Sequence, residues 1–231
     1  MEKEKAVLNF VNSKSEELFR LKEHALIGIS PFNSYYSEEN LKKLFSWGLS
    51  TFKRISIFIP DGISMYTLHA MGYSQEKAKK KTKLHDSNLK NKAIRALVVN
   101  NISEVEANNM IVFCSDLMNN ERYLKFHDTY KKLYENDEDF RKGCLATSRV
   151  VLESKGFQGD ANHEAVRTAV KYFIAELPIY LNTPEILEIS QSLYVYKDPP
   201  SDFLTEVYNK ENPFYSYMSS KHGYLAVNFI E

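Results

Sequence analysis

The amino-acid sequence predicts an α/β fold in which a mostly parallel β-sheet carries helices on both faces. Short continuous apolar runs, typical of buried parallel strands, alternate along the chain with segments of helical periodicity. This alternation indicates strands joined by helical crossovers. The 231 residues are 43% hydrophobic and 13% aromatic, which is enough to bury a substantial core. Because no repeat, low-complexity tract or domain boundary is evident, we expect a single domain over residues 1–231.

Composition and periodicity predict the individual elements. In chain order they are a helix over Ser15–Glu23, a strand over Ala25–Ile29, a helix over Ser37–Phe52, a strand over Ile55–Ile59, a helix over Gln75–Val98, a strand over Met110–Phe113, a helical stretch to about Glu153, a loop over Lys155–Asn162, a helix over Ala165–Leu181, and strands over Ser192–Tyr196 and Tyr224–Phe229. Ligands bind beyond the carboxyl ends of the strands in such sheets. We therefore expect Ser30, directly after the first predicted strand, to lie near a binding site.

Charge and residue usage exclude several classes of protein. Lysine plus arginine equals aspartate plus glutamate, 30 against 30, which argues against a wholly basic nucleic-acid-binding protein. The histidines lack metal-binding spacing, and Cys114 and Cys144 are expected to be buried thiols. No apolar stretch is long enough to span a membrane, and the charged start Met1–Lys5 does not resemble a signal peptide. We expect a cytoplasmic protein without a membrane segment or a bound metal.

Ser30 is the first candidate catalytic residue. A serine that leaves a strand at the mouth of a sheet is well placed to be a nucleophile, and Gly28 leaves room for a ligand to approach. On spacing alone, a turn serine is the commoner interpretation, because Ser-Pro is ordinary loop chemistry. Phe32 stands where the nucleophile elbow of α/β-hydrolases requires glycine. A serine hydrolase completed by a later histidine and aspartate remains an alternative.

Two further groups of candidates occur in the second half of the chain. Tyr172 and Glu176 are four residues apart and share a helix face, where they could hold an ammonium group. A partly exposed tyrosine and a solvated glutamate are the commoner outcome for such a pair. Tyr194 and Tyr196 share one face of a late strand, where tyrosines more often serve packing than acid–base chemistry.

Taken as an ordered set, these residues resemble the cyclodipeptide synthases. The set comprises the run His24–Ser37, the pair Tyr172 and Glu176, and Tyr196 twenty residues after Glu176, and the similarity extends over roughly residues 23–197. The sequence is most similar to the branch with an asparagine three residues after the serine, here Asn33, and to its leucine-using members from bacilli. That branch usually has a histidine after the late tyrosine, where this chain has lysine.

The resemblance implies a Rossmann-like domain similar to the catalytic domain of class I tyrosyl- and tryptophanyl-tRNA synthetases. It implies an enzyme that joins two aminoacyl-tRNAs into a 2,5-diketopiperazine through aminoacyl- and dipeptidyl-serine intermediates. Ser30 matches the nucleophile, Tyr172 and Glu176 match the pair that holds the substrate amino group, and Tyr196 matches a proton-handling tyrosine. Asn33 matches a residue that positions the substrate. Because an aminoacyl-tRNA ester is already activated, neither ATP nor a cofactor is expected, and the family suggests a monomer.

The same resemblance implies a pocket for the first amino-acid side chain. The family positions that line it correspond to apolar or aromatic residues and one glycine. They are Leu26, Gly28, Phe58, Ile179 and Tyr194. An aliphatic side chain would gain about 1.5–3 kcal/mol from burial there, whereas a charged one would be left without a partner. We therefore expect leucyl-tRNA as the main substrate and cyclo(Leu-Leu) as the main product.

A basic helix is the candidate tRNA-binding surface. Between Glu76 and Arg95 there are eight basic and two acidic residues, and helical spacing places Lys77, Lys81, Lys92 and Arg95 on one side. Ala78, Leu89, Ala93 and Ala96 lie roughly opposite. A solvated charged face is the commoner interpretation, but the RNA substrate implied by the resemblance favours a phosphate-binding surface.

A second alternative is a tRNA-binding synthetase relative without transfer chemistry. The segment Met218–Lys221 is loosely similar to the synthetase ATP loop, but it lacks the leading lysine, and we interpret it as chance. Detection of a diketopiperazine product would separate the synthase from both alternatives.

Overall fold

The structure, a computed structural model, describes residues 5–160 and 163–230. The strands are β1 (Lys5–Phe10), β2 (His24–Gly28), β3 (Arg54–Ile59), β4 (Ile111–Phe113), β5 (Ser192–Tyr196) and β6 (His222–Ile230). The helices are α1 (Ser13–Leu21), α2 (Glu38–Thr51), α3 (Met65–Ala70), α4 (Gln75–Val99), α5 (Glu104–Met110), α6 (Cys114–Leu117), α7 (Glu121–Asn136), α8 (Glu138–Glu153), α9 (Glu164–Ile186) and α10 (Asp202–Tyr208), with a 3₁₀ turn at Pro213–Tyr217.

The strands form a mixed sheet in the order β1-β6-β5-β2-β3-β4. Only the β1–β6 pair is antiparallel among the strand pairs of the described residues. From β2 the chain runs outward through β3 to β4 and then returns to pair β5 with the opposite side of β2. The strand order therefore reverses between β2 and β5, and such a reversal opens a crevice at the carboxyl ends of the two strands.

Side chains alternate between two cores, one on each face of the sheet. Ala25 and Ile27 of β2 point into the core formed with α1, α2, α4 and α5. Leu26, between them, points into the core formed with α7, α8, α9 and α10. A strand buried on both faces needs apolar residues at every position, which is why β2 reads as a continuous apolar run. The prediction of helices on both faces is confirmed.

The predicted strands are all present, and the boundaries shift by a few residues. Residues Lys5–Phe10 form a strand that the sequence did not predict. Ser30 therefore follows the second strand of the chain, and the prediction that it follows the first strand is wrong. The long helical stretch before Glu153 is divided into α6, α7 and α8, and the short helices α3, α5 and α10 were also not predicted. The predicted loop Lys155–Asn162 and the predicted start Met1–Lys5 lie partly outside the described residues.

Helix α9 continues past the predicted end at Leu181, to Ile186. Its kink falls at Asn182, where the backbone leaves helical geometry, two residues before Pro184. Proline removes a helical hydrogen bond and crowds the preceding turn. The freed carbonyl groups find other donors, because the Tyr208 hydroxyl bonds the carbonyl of Tyr180 and the Ser219 N–H bonds that of Leu181 at 2.9 Å.

Both cysteines are buried free thiols, as predicted. Within the part of the chain that the structure describes, no helix is both long and apolar enough to cross a membrane.

Candidate active site

Ser30 lies in the crevice between β2 and β5. It follows β2 by two residues, and Tyr196 ends the neighbouring strand β5, so the parallel pairing of these strands brings both residues to one edge of the sheet. Asn33 shapes the loop after Ser30, because its side-chain oxygen accepts a hydrogen bond from the Tyr35 N–H at 3.0 Å. This is the local geometry of an Asx turn, in which a side chain substitutes for a backbone acceptor.

A cavity of about 700 Å³ opens at this edge of the sheet. Its walls come from the loop after β2, from α8 and α9, from β5 and the segment that follows it, and from Tyr224 near the start of β6. It brings together the residues predicted to act in catalysis and in positioning the substrate. These are Ser30, Asn33, Tyr172, Glu176 and Tyr196. Residues 142 positions apart in the chain, Ser30 and Tyr172, thus share one cavity.

Glu176 is the buried acid of this cavity, with only 5% of its surface exposed. Its Oε1 accepts a hydrogen bond from the Tyr172 hydroxyl at 3.0 Å, and its Oε2 accepts one from the Tyr180 hydroxyl at 3.1 Å. Burial raises the pKa of Glu176 to about 8, and the two phenols only partly oppose this effect. Without a cation beside it, the carboxyl group is therefore mostly protonated at neutral pH.

Tyr180 was not among the residues predicted from the sequence. It lies four residues after Glu176 on α9, as Tyr172 lies four residues before it, so all three side chains share one helix face. The repeated four-residue spacing of the two tyrosines around one glutamate is the signal that could have identified Tyr180.

Tyr196 is the second acid–base candidate beside Ser30. Burial raises the pKa of Tyr196 to about 12, whereas the neighbouring hydroxyls of Ser30 and Tyr36 act in the opposite direction. The rings of Tyr36 and Tyr196 lie 5.9 Å apart between centroids. The Ser30 hydroxyl itself donates to the Pro31 carbonyl at 3.4 Å. A neutral phenol next to a serine hydroxyl can both accept and donate a proton, which suits a proton relay.

Comparison with known proteins decides between the alternatives. The profile of the cyclodipeptide synthase family matches residues 8–228 of this chain. The chain belongs to the cyclodipeptide synthases. The resemblance found in the ordered motifs is confirmed, and the serine hydrolase and non-catalytic alternatives are set aside. Members of this family are transferases that use aminoacyl-tRNAs, and this chain is accordingly a tRNA-dependent cyclodipeptide synthase.

Several relatives give the extent of the similarity. The cyclo(L-leucyl-L-leucyl) synthase of Staphylococcus haemolyticus is 28% identical over 229 residues, which are 95% of this chain and 93% of the relative. That of Bacillus subtilis is 31% identical over 188 residues, 79% of this chain and 74% of the relative. A solved structure of the S. haemolyticus cyclodipeptide synthase matches with a TM-score of 0.88 at 28% identity, covering 97% of this chain and 99% of that chain.

The relation to tRNA synthetases also follows from a solved structure. A Mycobacterium tuberculosis protein, whose structure was described as demonstrating that cyclodipeptide synthetases are related to type I tRNA synthetases, matches with a TM-score of 0.85 at 25% identity. The match covers 100% of this chain and 96% of that chain. The synthase thus has the Rossmann-like fold that the family resemblance implied.

The residues expected to line the first side-chain pocket do not all reach the cavity. Leu26, Phe58 and Ile179 are at most 1% exposed and lie in the core, whereas Tyr194 lines the cavity. The hydroxyl of Tyr194 would be 2.0 Å from a Cβ placed on Gly28. The space above Gly28 is therefore occupied by the ring of Tyr194, and the assignment of this pocket to the substrate stays a prediction.

Helix α4 has the two faces that the sequence predicted. Ala78, Leu89, Ala93 and Ala96 are buried, and the four basic residues lie on the opposite side. Two of these four have protein partners. The Arg95 Nε donates to Glu38 Oε2 at 2.8 Å, and the Lys81 ammonium donates to the Tyr73 hydroxyl at 3.1 Å. Lys77 is exposed and Lys92 partly exposed.

Lys197 occupies the position where the branch usually has histidine. Its ammonium group is 2.6 Å from a carboxylate oxygen of Asp198 and lies 5.6 Å from the centroid of the Tyr35 ring. The charge of this lysine is therefore balanced locally, beside the loop that follows Ser30.

Proposed function

We propose that this synthase makes mainly cyclo(L-leucyl-L-leucyl) and that Ser30 carries the aminoacyl and dipeptidyl intermediates. The observation that carries the proposal is the shared cavity, which is lined by Ser30, by Tyr196 and by a buried glutamate that two phenols hold. The relatives from S. haemolyticus and B. subtilis, both named for the leucyl-leucyl product, support leucine as the substrate amino acid.

The first step transfers an aminoacyl group from tRNA to the enzyme. The Ser30 Oγ attacks the ester carbonyl of leucyl-tRNA, a new ester forms on Ser30, and the bond to the terminal ribose of the tRNA breaks. The Ser30 proton passes to the leaving ribose hydroxyl, with Tyr196 as the relay. Because one ester replaces another, the step needs no ATP.

Two attacks by amines complete the ring. The amine of the leucyl group on Ser30 attacks a second leucyl-tRNA, so an amide forms and the second tRNA leaves with the amine's proton. The free amine of the dipeptide then attacks the Ser30 ester, closing the second amide and returning a proton to Ser30 Oγ. Holding both ends of the dipeptide in one cavity makes this closure effectively unimolecular, which favours it over hydrolysis.

Glu176 holds the substrate amine in this scheme. An ammonium group within a few ångströms favours the ionised carboxylate and lowers its pKa from the value that burial raises. The hydrogen bonds from Tyr172 and Tyr180 keep both carboxylate oxygens in place. Asn33 fixes the loop that presents Ser30 to the carbonyl carbon.

The leucine side chain is placed behind Tyr194 in this proposal. Leu26, Phe58 and Ile179 form an apolar group on that side of the sheet, and they would contact the substrate when the ring of Tyr194 turns away from Gly28. Burying an aliphatic side chain there would contribute about 1.5–3 kcal/mol.

The tRNA lies along α4 in this proposal, with Lys77, Lys81, Lys92 and Arg95 contacting phosphates. The enzyme acts as a monomer in the cytoplasm, where charged tRNAs are available.

Labelling of the enzyme tests the role of Ser30. Wild-type synthase incubated with radiolabelled leucyl-tRNA and then denatured should retain label, and Ser30→Ala should retain none. Ser34→Ala, an exposed serine of the same loop, is the matched control and should keep its label. Equal labelling of the Ser30→Ala protein would refute the assignment.

Competition tests the choice of leucine. The synthase is supplied with a mixture of aminoacyl-tRNAs, and every cyclic dipeptide is quantified by mass spectrometry. The main product should contain leucine, with methionine and phenylalanine as minor partners, because a hydrophobic pocket distinguishes one methylene by only about 1–3 kcal/mol. A main product without leucine would show that the pocket is assigned wrongly.

A further inference from the structure

The middle of α4 touches the loops that surround the cavity. The His85 ring lies 4.0 Å from the Phe32 ring between centroids, with an angle of 42° between the planes. About one turn before His85, Thr82 Oγ1 and Ser64 Oγ are 3.1 Å apart. Directly after His85, Asp86 Oδ2 accepts from the Gly62 N–H at 2.8 Å. The side of α4 next to its basic face therefore contacts the loops at the edge of the sheet where Ser30 lies.

Phe32 has an unusual backbone for its residue type. Its φ of 60° lies in the left-handed region. A residue with a Cβ populates this region about tenfold less than the right-handed region. Pro31, directly before it, offers no backbone N–H that could stabilise the turn. Phe32 is only two residues from Ser30, so a relaxed backbone at Phe32 would move the serine hydroxyl.

The His85 ring is suited to hold this conformation. Phe32 is partly buried, and its ring packs against His85. Burial and the positive charges of Lys81 and Lys92 lower the pKa of His85, so the imidazole is neutral when it stacks at neutral pH. A neutral ring packs on phenylalanine as another aromatic ring would.

We propose that His85 is a positioning residue, whose ring holds Phe32 in the left-handed conformation and thereby places Ser30 for attack. Because His85 is part of α4, the position of the nucleophile depends on the position of the helix that carries the basic face. The inference rests on the proposed role of Ser30 and adds a residue that contacts neither the reacting atoms nor the cavity's buried acid.

The rate of Ser30 acylation at saturating leucyl-tRNA tests the proposal. His85→Ala should slow acylation about tenfold, the cost of the left-handed backbone, and should leave KM for leucyl-tRNA unchanged. His85→Phe should retain the wild-type rate, because it restores a neutral ring against Phe32. Ser87→Ala, an exposed residue on the same helix, should also keep the wild-type rate.

A second background separates positioning from a general loss of structure. Glycine adopts a positive φ without the Cβ penalty, so Phe32→Gly should make the rate independent of His85. The Phe32→Gly and Phe32→Gly/His85→Ala proteins should then acylate at the same rate, which makes the two residues a coupled pair. The proposal is wrong if Phe32→Gly and His85→Ala each slow acylation and the double variant is slowed by the product of the two factors. It is also wrong if His85→Ala raises KM and leaves the saturating rate unchanged.

The same assay distinguishes this inference from the proposed function. If Ser30→Ala retains label, both the nucleophile assignment and the inference are wrong. If Ser30 is labelled in the wild type and His85→Ala acylates at the wild-type rate, only the inference is wrong.

Discussion

Replacing Glu176 with glutamine should stabilise the folded synthase above neutral pH, although the variant should make little product. The carboxyl group is buried and has two phenols as partners, but none of the described residues gives it a cationic partner. Such an acid resists ionisation. At alkaline pH the folded protein must either keep a bound proton or bury a charge, and the unfolded chain has neither constraint.

The magnitude follows from the pKa in the two states. Burial raises the pKa of Glu176 from its ordinary 4.5 to about 8. Below pH 4.5 both states are protonated and the residue adds no pH dependence. Between pH 4.5 and 8 the folded state binds more protons than the unfolded state, so stability falls as pH rises. At about 1.4 kcal/mol per pKa unit, the total loss is on the order of 3–5 kcal/mol.

Chemical denaturation at two pH values measures this effect. The free energy of unfolding of Glu176→Gln should be close to that of the wild type at pH 5 and on the order of 3–5 kcal/mol higher at pH 8.5. Glu135→Gln, an exposed glutamate on α7, is the control and should show no such difference. The reasoning is refuted if Glu176→Gln is less stable than the wild type at pH 8.5, or if the difference between the proteins is the same at both pH values.

Three further variants test other parts of the site. Tyr180→Phe removes a hydrogen bond that favours the ionised form of Glu176 and so raises the pKa of this acid. The acid limb of the pH profile of kcat/KM should therefore move to higher pH by about one pH unit. An unmoved limb would show that Tyr180 does not affect the ionisation of Glu176. Alanine should replace the four basic residues of α4, Lys77, Lys81, Lys92 and Arg95. The variant should have a lower kcat/KM for leucyl-tRNA, and the slope of log kcat/KM against log salt concentration should become shallower by about one for each lost phosphate contact. Lys132→Ala on α7 is the control. Unchanged use at about 0.15 M salt would remove this face from the tRNA site. Gly28→Ala should destabilise the fold by about 1–3 kcal/mol in urea unfolding, because its Cβ displaces the Tyr194 ring; wild-type stability would mean that the ring moves freely.

The sequence predicted the parts of the fold that depend on local pattern. The apolar run Ile55–Ile59 was sufficient to predict a strand, and the periodicity of α4 was sufficient to predict a helix. A strand buried on both faces needs consecutive apolar residues, and an amphipathic helix needs them at helical spacing, so both patterns can be seen in the sequence. Strand β1 left no such trace. Its six residues become a strand by pairing antiparallel with β6, more than two hundred positions away, and no local pattern records that partner.

The candidate active site also has features that the sequence predicted and features that it did not. Ser30, Tyr172, Glu176 and Tyr196 were identified from their order in the chain, and the structure brings them to one cavity. The occupation of the space above Gly28 could not be predicted, because it depends on which way the Tyr194 ring turns. The left-handed backbone of Phe32 was likewise hidden, since a phenylalanine in sequence gives no sign of a positive φ.

The buried state of Glu176 has a consequence for which tRNAs the enzyme accepts. If Glu176 holds the substrate amine as proposed, a substrate with a free amine binds better, because this carboxyl group ionises readily only next to a cation. A tRNA that carries a peptide or a formylated amino acid ends in an amide, which stays uncharged and leaves the acid protonated. Such tRNAs have the same ester and the same phosphates as leucyl-tRNA. The desolvated acid on α9 would then separate free aminoacyl-tRNAs from peptidyl- and formylaminoacyl-tRNAs, without any contact to the tRNA itself.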